Sequence, residues 1–203
     1  MRIGLDFDNT IVCYDQAIAK LAEDLFELPS DLPRSKIALR DFLLSSGRES
    51  DWTAFQGELY GPGMRYAIPF KNSVEVMTSL VSAGHTLAIV SHRSREPYAG
   101  RKYDLHQAAR EWVDMHLRTK GLFGSLGDDS LVFFLETKEL KLKMVEKLEC
   151  DVFVDDLPEI LNNRGFPFLT NRVLFKPSNS PSDNKPGGIS SIGSWLQLPG
   201  LIQ

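Results

Sequence analysis

The sequence predicts an α/β fold: a doubly wound, Rossmann-like parallel sheet with a small helical cap inserted after the first strand. Three observations predict it. Short apolar runs alternate with amphipathic helical patterns, as expected of βα units whose strands are buried on both faces. Roughly eighty residues separate the first run from the second, far more than a crossover connection needs. Finally, 203 residues with 42% hydrophobic content suffice for one such core plus a module of about fifty residues.

The strands are expected at 3–7, 86–90, 131–135, 151–154 and 172–175, where apolar residues run together between turn signals. Helices fill the intervals. Asp104 and Gln107 have the spacing of a capping box, ahead of an apolar face of Leu105, Ala108, Ala109, Trp112, Val113 and Leu117, with Gly121 as a stop. Thr137 is placed to cap a helix whose apolar side reads Leu140, Met144, Val145 and Leu148. The inserted segment contains short helices at 15–26, 35–44 and 51–60, and a return helix is expected at 73–82. The expected domains are therefore a core of 1–14 and 71–203 and a helical cap of 15–70. Residues 176–190 are rich in Pro, Ser, Asn and Gly and read as a flexible loop. A last short helix at 192–198 is expected to dock through Trp195.

The net charge of −4 and the absence of a basic stripe argue against nucleic acid as a partner. The longest apolar runs are too short to span a membrane, and no signal peptide precedes the first strand. Cys13 and Cys150 have no metal-ligand spacing and suggest a reducing compartment, so a cytoplasmic protein is expected.

Chemistry-bearing residues fall at the ends of four expected strands: Asp6, Asp8 and Thr10; then Ser91; then Lys138 or Lys141; then Asp155 and Asp156. Ligands of open α/β sheets bind outside the carboxyl ends of the strands. Carboxylates gathered there make a hard oxygen site suited to Mg²⁺. A carboxylate can also attack phosphorus, while a second exchanges a proton with the leaving oxygen. A hydroxyl and an ammonium suit the phosphoryl oxygens. A calcium loop would need Gly and Glu where Ile11 and Ala17 stand.

The segments Asp6-Phe7-Asp8-Asn9-Thr10, Ile89-Val90-Ser91, the lysine region and Val154-Asp155-Asp156 resemble, in order, the four motifs of the haloacid dehalogenase superfamily. The resemblance spans about residues 1–165 and implies a phosphoryl-transfer hydrolase. Asp6 would be nucleophile and metal ligand. Asp8 would be general acid/base, with its carbonyl on Mg²⁺. Ser91 and the lysine would hold the phosphoryl group. Asp156 would bind the metal directly, with Asp155 in support. Lys141 is preferred over Lys138 because its spacing to Asp155 resembles that of the family. An aspartate at position 8 resembles phosphatases and phosphomutases, not dehalogenases. The expected activity is Mg²⁺-dependent hydrolysis of a small phosphorylated metabolite, a nucleotide included. A phosphomutase and a non-catalytic phosphate-binding module stand as alternatives.

Thr10, His92 and Arg93 are candidate substrate contacts, and Arg95 could join Arg93 on a second anionic group. In the cap, Trp52, Gln56, Tyr60 and Arg65 are candidates for substrate selection, although Trp52, Gln56 and Tyr60 also read as a core stripe. The sequence leaves the oligomeric state open.

Overall fold

A computed structural model describes residues 1–177 and 188–202. The chain forms two compact units. One comprises residues 1–12, 69–93 and 114–203, and the other residues 13–68 and 94–113.

The first unit is built on a six-stranded parallel sheet. Its strands are β1 (Arg2–Leu5), β4 (Thr86–His92), β5 (Val132–Leu135), β6 (Val152–Asp155), β7 (Asn171–Phe175) and β8 (Ile189–Ile192), in the spatial order β5-β4-β1-β6-β7-β8. The chain builds outward from β1 through β4 to β5, then returns to the other side of β1 through β6. Leu5 therefore pairs with Ile89 on one side and Val154 on the other. This reversal opens the crevice at the carboxyl ends of β1, β4 and β6.

On one face, Ala88, Val90, Phe153, Leu174 and Ile189 pack with Leu142 and Val145 of α6 (Lys138–Lys147) and Ile160 and Leu161 of α7 (Pro158–Leu161). Gly4 is required here, since a Cβ would stand 2.6 Å from the Phe153 ring. Elsewhere in the unit, Phe175 joins Phe70 and Trp195 through ring contacts with centroids 5.0 and 6.0 Å apart. Helix α4 (Ser73–Ser82) spans the expected return helix.

Several expectations change. Residues 189 and 190, assigned to a flexible loop, belong to β8, whose central Ser190 and Ser191 hide it from an apolar search. The remainder of 176–190 lies largely outside the described residues. The terminal helix is a 3₁₀ segment, Trp195–Leu201, opened by a Ser194–Gln197 capping box, so Ile192 stays in the sheet. On α6, Leu140 is exposed and Lys141 is buried in its place, because the helix turns that ammonium toward carboxylates.

Two short strands, β2 (Val12–Cys13) and β3 (Ile68–Pro69), form a two-stranded sheet. The second unit contains α1 (Asp15–Leu25), α2 (Lys36–Ser45), α3 (Glu49–Tyr60) and most of α5 (Leu105–His116). Residues 94–113, expected in the core, group with these helices. The reason is visible on α3. A Cβ on Gly57 would meet Pro97 at 2.8 Å and one on Gly61 would meet Tyr103 at 3.0 Å. Tyr103 also donates to Glu58 at 2.8 Å. Asp104 accepts from the Gln107 amide at 2.9 Å, as capping requires, but the Gln107 side chain turns to Glu111. Among the described residues no helix is long and apolar enough to cross a membrane.

Candidate active site

The site is assembled within the first unit. Asp6 follows β1, its amide held by the Val154 carbonyl at 2.8 Å. The chain then turns tightly. Ile11 and Val12 amides both return to the Phe7 carbonyl at 3.0 Å, and Asn9 takes a left-handed conformation with φ 57°, which asparagine tolerates better than most residues. Thr10 is buried, and its carbonyl accepts the Trp195 indole at 3.0 Å. The sequence located Trp195 as a docking residue without showing that it props this loop.

Ser91 lies inside β4, so strand pairing fixes its direction. Its hydroxyl donates to Asp6 Oδ1 at 2.9 Å. Lys141 Nζ donates to the same oxygen at 2.6 Å and lies 2.6 Å from Asp155 Oδ2. Thr137 caps α6 by accepting the Leu140 amide at 3.2 Å, which sets the start of the helix carrying Lys141. Lys138, the alternative lysine, instead pairs with Glu159 at the surface. The other Asp155 oxygen accepts the Leu157 amide at 2.9 Å. Asp155 is thereby tied to both the lysine and the turn before α7.

Burial acts first on the ionisation of this group. It raises the Asp6 carboxyl to about 7, with repulsion from Asp155 and Asp8 adding to the shift and Lys141 opposing it. Burial and repulsion from Asp6 and Asp155 raise Asp156 to about 8. Burial works against charging Lys141, but Asp6 and Asp155 outweigh it and raise its pKa.

Asp6, Asp155 and Asp156 each offer a carboxylate oxygen, all within 4.8 Å of one another. With Asp8 there are four carboxylates, offset only in part by Lys141 and Arg93. Fully ionised, the group keeps an excess of two negative charges. A hard dication fits this donor set in both charge and ligand type.

The candidate substrate contacts separate. His92 is half-buried, with Nε2 3.2 Å from the Glu136 carbonyl oxygen. Arg93 is buried and donates to Asp8 Oδ1 at 2.6 Å. Arg95 belongs to the second unit, where it is exposed and pairs with Asp104 at 3.1 Å. Within that unit Trp52 is buried against Phe55, and Tyr60 meets Tyr14 edge-on at 5.2 Å. These are packing contacts. Gln56 is half-buried, while Arg65 is exposed over the Tyr66 ring. The Arg93–Asp8 pair had no signal in the sequence, since 85 positions separate its members.

No protein-family model matches the sequence, and no curated protein matches it. Solved structures do resemble the fold. Protein Tyrosine Kinase A of Mycobacterium tuberculosis is similar with a TM-score of 0.60 and 14% identity, over 98% of this chain and 96% of that one. A HAD phosphatase from Thermococcus onnurineus is similar with a TM-score of 0.53 and 17% identity, over 99% and 97%. A HAD family hydrolase from Deinococcus radiodurans, with bound phosphate and sodium, is similar with a TM-score of 0.54 and 14% identity, over 99% and 94%. At these identities the likeness establishes the fold, and the site must carry the chemistry.

Proposed function

We propose that this chain, which has the fold of the haloacid dehalogenase superfamily hydrolases, is a Mg²⁺-dependent phosphatase that hydrolyses a small phosphorylated metabolite through an aspartyl-phosphate on Asp6. One observation carries the reading. The Asp6 carboxylate lies beside the Ser91 hydroxyl and the Lys141 ammonium, and Asp156 and Asp155 stand within metal-binding reach of it.

Asp6 attacks phosphorus through a carboxylate oxygen. Ser91 and Lys141, both hydrogen-bonded to Asp6, would bind the phosphoryl oxygens and stabilise the charge that builds there. Asp6 and Asp156 would hold Mg²⁺ through carboxylates and Asp8 through its carbonyl. Asp155, already tied to Lys141 and the Leu157 amide, would orient the lysine and support metal binding. Bound there, Mg²⁺ would offset the excess negative charge and draw electron density from the phosphoryl oxygens. Asp8 gives a proton to the leaving oxygen and takes one from the water that opens the acyl phosphate. Thr10 and His92 would supply further substrate contacts. A cytoplasmic metabolite pool would supply the substrate.

Phosphate release is measured from an aryl phosphate and then from a panel of sugar phosphates and nucleoside monophosphates, with and without Mg²⁺. The native chain should release phosphate only with the metal, and Asp6→Asn should release none. Release in ¹⁸O-water should put one solvent oxygen into each phosphate. Absence of release by the native chain, or full release by Asp6→Asn, overturns the reading. Transfer between substrate positions without solvent oxygen would identify a mutase.

A further inference from the structure

Arg93 is held from three sides within the first unit. Its backbone amide donates to the Leu135 carbonyl at 2.8 Å. Its guanidinium carbon stands 5.8 Å from the centroid of the Phe7 ring, and that ring meets Phe134 edge-on at 5.2 Å. Its NH1 donates to Asp8 Oδ1 at 2.6 Å, with only 3% of the arginine side chain exposed.

A surface arginine waiting for an anion keeps its guanidinium in water. Arg93 is instead desolvated and already paired. A substrate anion that took its charge would have to break an ion pair buried on the arginine side, leaving Asp8 without this partner. The planar guanidinium is also well suited to fixing the direction of a carboxyl group.

We propose that Arg93 is a positioning residue, orienting Asp8 for proton exchange with the leaving oxygen, and not a substrate contact. The inference rests on the phosphatase reading. In the first step an Asp6 oxygen forms a bond to phosphorus as the bridging phosphorus–oxygen bond breaks. The electron pair of that bond goes to the leaving oxygen, which takes the proton that the neutral Asp8 carboxyl carries on Oδ2 while Oδ1 keeps its hydrogen bond from Arg93. In the second step water attacks phosphorus, its proton returns to Asp8, and the Asp6–phosphorus link opens. Asp8 can serve both steps only if its carboxyl group faces the oxygen that needs or gives the proton, and geometry at this precision decides the rate.

The test compares the full chain with Arg93→Met and Arg93→Lys, in Mg²⁺, on phenyl phosphate and 2,4-dinitrophenyl phosphate. Neither substrate has a second anionic group. Phenolate leaves well only with a proton, whereas dinitrophenolate leaves without one. For Arg93→Met, kcat/KM should fall about 100-fold on phenyl phosphate, the scale of lost general-acid catalysis, and stay within about threefold on the dinitrophenyl ester. Arg93→Lys, which keeps a cation beside Asp8, should recover part of the loss. An equal loss on both esters would mean general disruption of the site and overturns the proposal. No loss on either would return Arg93 to a substrate role and also overturns it. If the native chain turns over neither ester, the phosphatase reading fails first and this inference falls with it.

Discussion

Lys141 Nζ stands 2.6 Å from Asp6 Oδ1, with both side chains buried. The same ammonium lies 2.6 Å from Asp155, so one cation joins the carboxylates that follow β1 and end β6. Burying a lysine this deeply is unfavourable unless its charge is matched, and here two carboxylates match it.

Lys141→Met leaves those carboxylates without their cation. Unfolding in urea near neutral pH without Mg²⁺ should show a loss of about 3–5 kcal/mol, and kcat should fall by about 100-fold or more. Lys138→Met is the control, because Lys138 pairs with Glu159 at the surface. Exposed pairs contribute about 0–1 kcal/mol, so this variant should keep native stability and activity. The reverse outcome would give the motif role to Lys138.

The metal-free chain should lose stability as pH rises. The folded-state pKa values of Asp6 and Asp156 are raised to about 7 and about 8. The folded state therefore keeps protons that the unfolded chain has already released. This stabilising share is complete below the ordinary carboxylate range near pH 4 and is lost as pH passes through the raised values. Mg²⁺ should flatten the trend, adding about 2.7 kcal/mol at a hundredfold excess over its Kd. Urea midpoints from about pH 5 to about pH 9, with and without Mg²⁺, measure both effects. Asp156→Asn should abolish most of the Mg²⁺ gain. A metal-independent pH profile in the native chain would contradict the site's design.

Trp195 donates its indole N–H to the Thr10 carbonyl at 3.0 Å, with both residues buried. Trp195→Phe keeps most of the ring volume and removes the donor. The orphaned carbonyl should cost about 1–3 kcal/mol, and kcat/KM should drop because the loop carrying Asp6 and Asp8 loses its prop. Urea denaturation and steady-state kinetics on an aryl phosphate test the two parts. Native stability and activity in this variant would show that the contact is incidental.

Much of the core was legible because its signals are local. The 73–82 helix and the apolar runs of β1, β4, β5, β6 and β7 announce themselves over a few residues. Lys141 could be preferred to Lys138 only by resemblance, since both lie in the first turns of α6. What separates them is the helix rotation that buries Lys141 and leaves Lys138 half-buried beside Glu159. β8 escaped notice because serines occupy its middle. Residues 94–113 follow β4 in sequence, but small residues on α3 receive them and draw them into the second unit. Arg118 shows the same limit. It is buried with Asp114 and Asp129 as partners, whereas in sequence it is one more cation at a helix end. Contacts between distant residues leave no periodicity to read.

The central claim, that Asp6 becomes phosphorylated, is tested most directly by trapping the intermediate. Asp8→Asn should slow the second step, so phosphoenzyme should accumulate from 2,4-dinitrophenyl phosphate, which needs no proton to leave. Quenching with borohydride reduces an acyl phosphate to an alcohol, and mass spectrometry of the digested chain then locates it. The account predicts homoserine at position 6, dependent on both substrate and Mg²⁺. Unmodified Asp6 during active turnover, or reduction at another carboxylate, would contradict it.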